Sequence, residues 1–147
     1  QNAFSAANMP VAGIAILIHL GEIFAKEGPL PYTLVIVATD AEEYGMIGSG
    51  RYIQNHPDPK NIIAAFSMDN VGRYYYDGVK MEQIGQYRNY GSLWLALALK
   101  EAARHAGLWP VVIPGVLDEM TGQMAPISFM DQGPIVAAGV PALARSQ

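Results

Sequence analysis

Two apolar runs in this sequence end in acids. The run YTLVIVAT at 32–39 leads at once into Asp40, Glu42 and Glu43, and IIAAFSM at 62–68 leads into Asp69. In open parallel sheets, ligands bind beyond the carboxyl ends of the strands. If the two runs are neighbouring or near-neighbouring strands, these groups share one rim. Carboxylates gathered there repel one another unless a cation compensates. Oxygen-rich sites suit a hard or borderline dication, and suit zinc when nitrogen ligands join. Adjacent Glu42 and Glu43 leave an extended backbone in opposite directions. One can ligate a metal while the other faces the metal-bound water and takes its proton. That is the chemistry of a metal hydrolase. A plainer role fits the same residues: glutamates in a helix's first turn complement its dipole and are usually just solvated, and Asp69 can be a strand-end turn residue. The pattern alone leaves both readings open.

The elements that must position these acids can be read along the chain. Residues 10–26 form a helix pattern opened by Pro10 and stopped by Gly28-Pro29. It is apolar nearly all round, which predicts burial on more than one side. The runs at 32–39 and 62–68 are continuous and apolar, as strands covered on both faces are. A helical stretch spans about 44–54, with a loop at 55–59. Residues 74–79 read as a hairpin turning at Asp77-Gly78. Ser92 can cap a helix to about Ala106, stopped by Gly107. Residues 109–113 are a short strand candidate, 134–139 a short helix and 140–144 a final strand. Strands alternating with helices predict an α/β fold, a three-layer sandwich with a mainly parallel sheet, in a single domain over 1–147.

Composition narrows the function classes. Apolar residues make up 51% of the 147, enough for a core, and the net charge is -4. Nine scattered basic residues argue against nucleic-acid binding, which needs clustered Lys and Arg. The absence of cysteine excludes disulfides, thiolate metal sites and a cysteine nucleophile. The most apolar segment, 11–25, is interrupted by His19, Gly21 and Glu22. It is shorter than the roughly 20 residues a membrane helix needs, so no transmembrane segment is expected. No signal peptide is visible. His19, inside the apolar helix, reads as a hydrogen-bonded core residue. His105, near a helix end, reads as a dipole partner. Asp118-Glu119 read as solvated acids, and Gly45 and Gly48 as permitting close helix–sheet packing.

The segment Asp40-Ala41-Glu42-Glu43-Tyr44-Gly45-Met46-Ile47-Gly48-Ser49 resembles the Ala-Glu-Glu-x-Gly-x-x-Gly-Ser motif of co-catalytic zinc aminopeptidases. Those are the bacterial leucyl aminopeptidases and aminopeptidase Y-like enzymes, with glutamate carboxypeptidase as a relative. Ser67-Met68-Asp69-Asn70-Val71-Gly72 is similar to the family's Leu-Asp-Met-Val-Gly segment. Met130-Asp131-Gln132-Gly133-Pro134 through Gly139-Val140-Pro141-Ala142 is similar to its Ser-Asp-His-x-Pro-Phe to Gly-Ile-Pro-Ala segment. The resemblance implies Glu42 as general base, Glu43 as a ligand of one zinc and Asp69 as a ligand of the other. It implies hydrolysis of peptides next to a free N-terminal amine, with one or two zinc ions as cofactor. It leans slightly to a secreted or extracytoplasmic location.

The departures are specific. Met9 stands where the family has its bridging Asp, and Gln132 replaces a His. The family's early His-x-Asp strand and its last His ligand have no counterpart. His56-Pro57-Asp58 matches His-x-Asp literally but lies in a loop after the acid pair, and reads as a decoy. The credible ligands are then Glu43 and Asp69, so the site in these residues is expected to be incomplete. An uncovered sheet edge or helix face would invite self-association or a partner chain. Two further readings stay in view: a non-catalytic binding or structural domain of the same fold, as in transferrin-receptor ectodomains, and a single-zinc enzyme like the glutaminyl cyclases.

Overall fold

The computed structural model describes residues 9–68, 78–83, 85, 89–113, 124, 128 and 130–146. Helix α1 spans Met9–Glu27 and α2 spans Ile47–Asn55. A 3-10 turn at Pro59–Asn61 precedes strand β1, Ala65–Met68. Strand β2 is Val79–Glu82 and helix α3 is Leu93–His105. Strand β3 is Val111–Val112, helix α4 is Gln132–Ala137 and strand β4 is Ala142–Ser146.

The strands form one mixed sheet in the order β1-β4-β2-β3. β1 runs parallel to β4, and β2 parallel to β3, while β2 and β4 are antiparallel. The fold is α/β as expected, and two of the three pairings are parallel. β4 lies between β1 and β2, and its Ala142, Leu143 and Ala144 are fully buried. The small alanines let helices come close: α4 packs on β4 and β1, and α3 on β4 and β3. Val79 and Met81 from β2, Ala96 and Ala103 from α3, and Val136 from α4 complete the core. β2 shows the alternation of a half-covered strand, with Val79 and Met81 inside and Lys80 outside.

Two expectations are corrected. Residues 33–40 follow a bend and join no sheet, so the predicted strand 32–39 does not form and makes no ladder with β1. Leu34, Val35 and Ile36 are 45%, 58% and 43% exposed. A buried strand needs ladder partners as well as apolar side chains, and β1, an edge strand, is paired with β4 alone among the described residues. Second, α1 is not covered on several sides. Ile14 and Ile18, one turn apart, are 49% and 61% exposed. One covered point is Gly21, where an added Cβ would sit 3.1 Å from Ile36 Cδ1. Apolar composition states what a helix could bury, not what is there to bury it against. Among the described residues, no helix is long and apolar enough to cross a membrane.

Candidate active site

The acid pair sits on a tight turn rather than in the first turn of a helix. Tyr44 N donates to Ala41 O at 3.3 Å, and Gly45 N and Met46 N donate to Glu42 O at 2.9 and 2.8 Å. Ile47 N donates to Ala41 O at 3.2 Å and Gly48 N to Asp40 O at 3.1 Å. The turn needs left-handed backbone at three places: Ala41 at φ 55°, Gly45 at φ 96° and Met46 at φ 57°. For the two non-glycine residues this costs roughly 1–2 kcal/mol each. Such strain persists where surrounding structure over-determines it, and it clusters at functional sites. Met46 is buried and forms the N-cap position of α2.

The glycines of the turn differ from expectation. Gly45 has open space around its missing Cβ, so its role is its positive φ. At Gly48 an added Cβ would lie 2.5 Å from Asp40 O and 2.7 Å from Asp40 N. That glycine lets α2 begin directly against the backbone that enters the turn, and not against the sheet.

A side-chain bond joins this unit to the sheet region, beside the packing of α2 on α4. Thr39 Oγ1 donates to Asp131 Oδ2 at 2.6 Å. Asp131 immediately precedes α4, and α4 leads through 138–141 into β4. The helix therefore runs back alongside β4. Its 6 residues rise about 9 Å, which puts its start level with the carboxyl half of β4. Gln132 confirms that level: its Nε2 donates at 3.2 Å to Glu82 Oε1, and Glu82 pairs with Ala144. Ala144 and Arg145 are in turn level with Ser67 and Met68 of β1. The Thr39 end of the extended segment thus arrives at the carboxyl end of β1. Glu42, half-buried, and Glu43 and Asp40, exposed, follow from there.

Asp69, the residue after Met68, lies outside the described residues, as do Asp118, Glu119 and the hairpin residues 74–77. Among the described residues, no three His, Cys, Asp or Glu side chains gather to hold a metal ion. Carboxylates on one turn are suitable donors for zinc, but the described residues do not complete a ligand set.

The histidines stand apart from this turn. His19 is not a core residue; its side chain is 73% exposed and pairs with Glu22 at 3.6 Å. Its apolar sequence neighbours lie on other faces of α1. His56 Nδ1 accepts Asp58 N at 3.2 Å, and its ring meets the edge of Tyr52. His105 sits in the last turn of α3, 2.9 Å from Glu101 O.

Gln132 and Ser128 are fully buried and bonded to each other at 2.9 Å. Sequence reasoning missed this polar group, whose members are 46 and 50 positions from Glu82. It also missed the partnership of Thr39 with Asp131. One open depression is lined by Gly45, Met46, Arg51 and Pro134, beside the turn. Another, lined by Tyr90, Gly139 and Pro141, lies at the opposite, amino end of β4.

The sequence model of Peptidase family M28 matches residues 11–144. A comparison with curated proteins returned no match. Among solved structures, an aminopeptidase from Aneurinibacillus sp. strain AM-1 is similar in fold, with a TM-score of 0.54 and 23% identity. The match covers 76% of this chain and 24% of the aminopeptidase, so the chain spans about a quarter of its length.

Proposed function

Because the chain belongs to peptidase family M28, we propose that it forms part of a zinc-dependent aminopeptidase that removes N-terminal residues from peptides. Glu42 is the general base in this reading, and Glu43 and Asp69 are metal ligands. Residues outside these 147 complete the ligand set. The observation that carries the reading is the turn 41–46. It is strained at Ala41 and Met46, closed by its own backbone bonds, and starts level with the carboxyl end of β1. Glu42 is half-buried and Glu43 exposed, and the base role goes to Glu42 because the motif resemblance gives it that position. When bound, the metal would supply a water of lowered pKa and a Lewis acid for the carbonyl oxygen.

The test is a pair of substitutions in the full-length gene product. Glu42→Gln should lower aminopeptidase turnover by at least about 100-fold with metal content intact. Glu43→Gln should lower metal occupancy. Equal metal loss in both variants would show the two roles to be wrongly divided. The competing reading, a non-catalytic domain of the same fold, is favoured by Met9 in the position of the bridging carboxylate, since a thioether is a poor substitute there. Failure of the full-length gene product to hold zinc or to turn over aminoacyl substrates in added zinc would decide for it.

A further inference from the structure

Asp131 occupies the N-cap position of α4, where an aspartate ordinarily accepts a bond from the helix's own free N–H groups. It makes no such cap. Its Oδ2 instead accepts the hydroxyl of Thr39 at 2.6 Å, from 92 positions away in sequence. Its Oδ1 is closed off from solvent with no hydrogen-bond partner among the described residues. A carboxylate that forgoes its local cap, and leaves one oxygen unsatisfied, is placed for the distant contact.

The contact holds something that needs holding. Thr39 is three residues ahead of Glu42. The chain between them and on to Met46 carries two left-handed non-glycine residues. The incoming segment 33–40 has no ladder to fix it along the sheet. Helix α4 is anchored to the sheet through its packing on β4 and β1 and through the Gln132–Glu82 bond. The short, charge-assisted Thr39–Asp131 bond therefore adds a side-chain tie between the entry of the turn and the anchored helix, beside the packing of α2 on α4. We propose that Asp131, acting through Thr39, is a positioning residue that sets the place of the Glu42 turn on the rim. The catalytic consequence rests on the aminopeptidase reading above; the structural consequence does not.

The experiment uses Thr39→Val, Thr39→Ser, Asp131→Ala and the Thr39→Val/Asp131→Ala double variant of the full-length gene product. Thr39→Val and Asp131→Ala should each lower kcat by roughly 10- to 100-fold, the scale of a small misplacement at a reacting group, with KM nearly unchanged. The double variant should be no worse than either single one. Thr39→Ser, which keeps the hydroxyl, should recover most of the rate. Independently of turnover, hydrogen exchange at the Gly45, Met46 and Gly48 amides should quicken by about 10-fold in Thr39→Val and return in Thr39→Ser, with the Ala96 and Ala103 amides of α3 unaffected. Unchanged exchange in the turn, an additive double variant, or Thr39→Ser as impaired as Thr39→Val would each overturn the proposal. If Asp131→Ala does not fold, the Thr39 pair decides alone. If Glu42→Gln leaves turnover intact, the aminopeptidase reading fails, and the exchange measurement still decides whether Asp131 positions the turn.

Discussion

Gln132 Nε2 donates to Glu82 Oε1 at 3.2 Å, joining the first turn of α4 to the strand that runs antiparallel to β4. Ser128 Oγ donates to the same oxygen at 3.2 Å and accepts from Gln132 at 2.9 Å. The Glu82 carboxylate thus has its donors supplied from inside the protein. The histidine that the resemblance leads one to expect at position 132 would also bring an N–H, so Gln132 exchanges one buried donor for another. Gln132→Leu takes one donor from the half-buried Glu82, which keeps that of Ser128, and should destabilise the fold by about 1 kcal/mol, the net value of one hydrogen bond. Gln132→His should cost less. Urea unfolding midpoints at constant slope measure both, and equal losses would mean that side-chain shape rather than the hydrogen bond matters here.

The sequence showed the acid pair and the α/β class because both are local signals. Pro10 and Gly28-Pro29 bracket α1 to within one residue of its observed ends. The run at 32–39 misled because continuous apolar character reports what could be covered, whereas a strand also needs a neighbour for its backbone. The predicted helix start near Tyr44 moved to Ile47 because Gly45 and Met46 are left-handed. β2 is signalled by the alternation Val79-Lys80-Met81-Glu82, but the apolar-run criterion passes over it. Nothing in sequence links Thr39 to Asp131. That pairing exists only once α4 has folded back along β4.

Gly48 and Gly50 give a paired test of the turn. A Cβ on Gly48 would lie 2.5 Å from Asp40 O, a backbone atom that cannot swing aside, and 3.1 Å from Thr39 Cβ. A Cβ on Gly50 would meet Pro134 Cβ at 4.0 Å, an ordinary contact. Gly48→Ala should therefore lose about 1–3 kcal/mol from overpacking, and should displace the Glu42 turn with it. Gly50→Ala should be neutral or stabilising by up to about 1 kcal/mol through helix propensity. Thermal unfolding of the two variants should rank them in that order, and a Gly48→Ala variant with wild-type stability would show that the turn yields more easily than its contacts imply.

A third outcome concerns the carboxyl-terminal turn of α3. Arg104 donates two bonds to the Glu101 carboxylate, at 2.7 and 3.1 Å, and holds its pKa below the usual value. A carboxyl group with a depressed folded-state pKa contributes stability above its unfolded pKa, and loses it as pH falls through the folded one. The pair is exposed, so the contribution is small and screened by salt. Arg104→Gln should move the Glu101 titration seen by NMR upward. An unmoved titration would mean that the pair is not maintained in solution.

The last outcome concerns metal binding by residues 1–147 alone. A catalytic zinc takes three protein ligands and a water. The acids proposed here are Glu43 for one ion and Asp69 for the other, and among the described residues no three His, Cys, Asp or Glu side chains gather. The described histidines each have another partner: His19 pairs with Glu22, His56 accepts the Asp58 amide, and His105 contacts Glu101. Recruiting any of them would break one of these contacts and carry the ring to the turn. These 147 residues should therefore bind zinc loosely, well short of two ions per chain, and turn over aminoacyl substrates poorly even in added zinc. The full-length gene product should retain its metal through dialysis and should be active if the ligand set is completed elsewhere. Elemental analysis after dialysis, with an aminopeptidase assay on both proteins, compares them directly. Stoichiometric zinc with robust turnover in residues 1–147 would show that the ligands come from these residues after all. Substitution of His19, His56 and His105 in turn would then identify which side chain had moved to the rim.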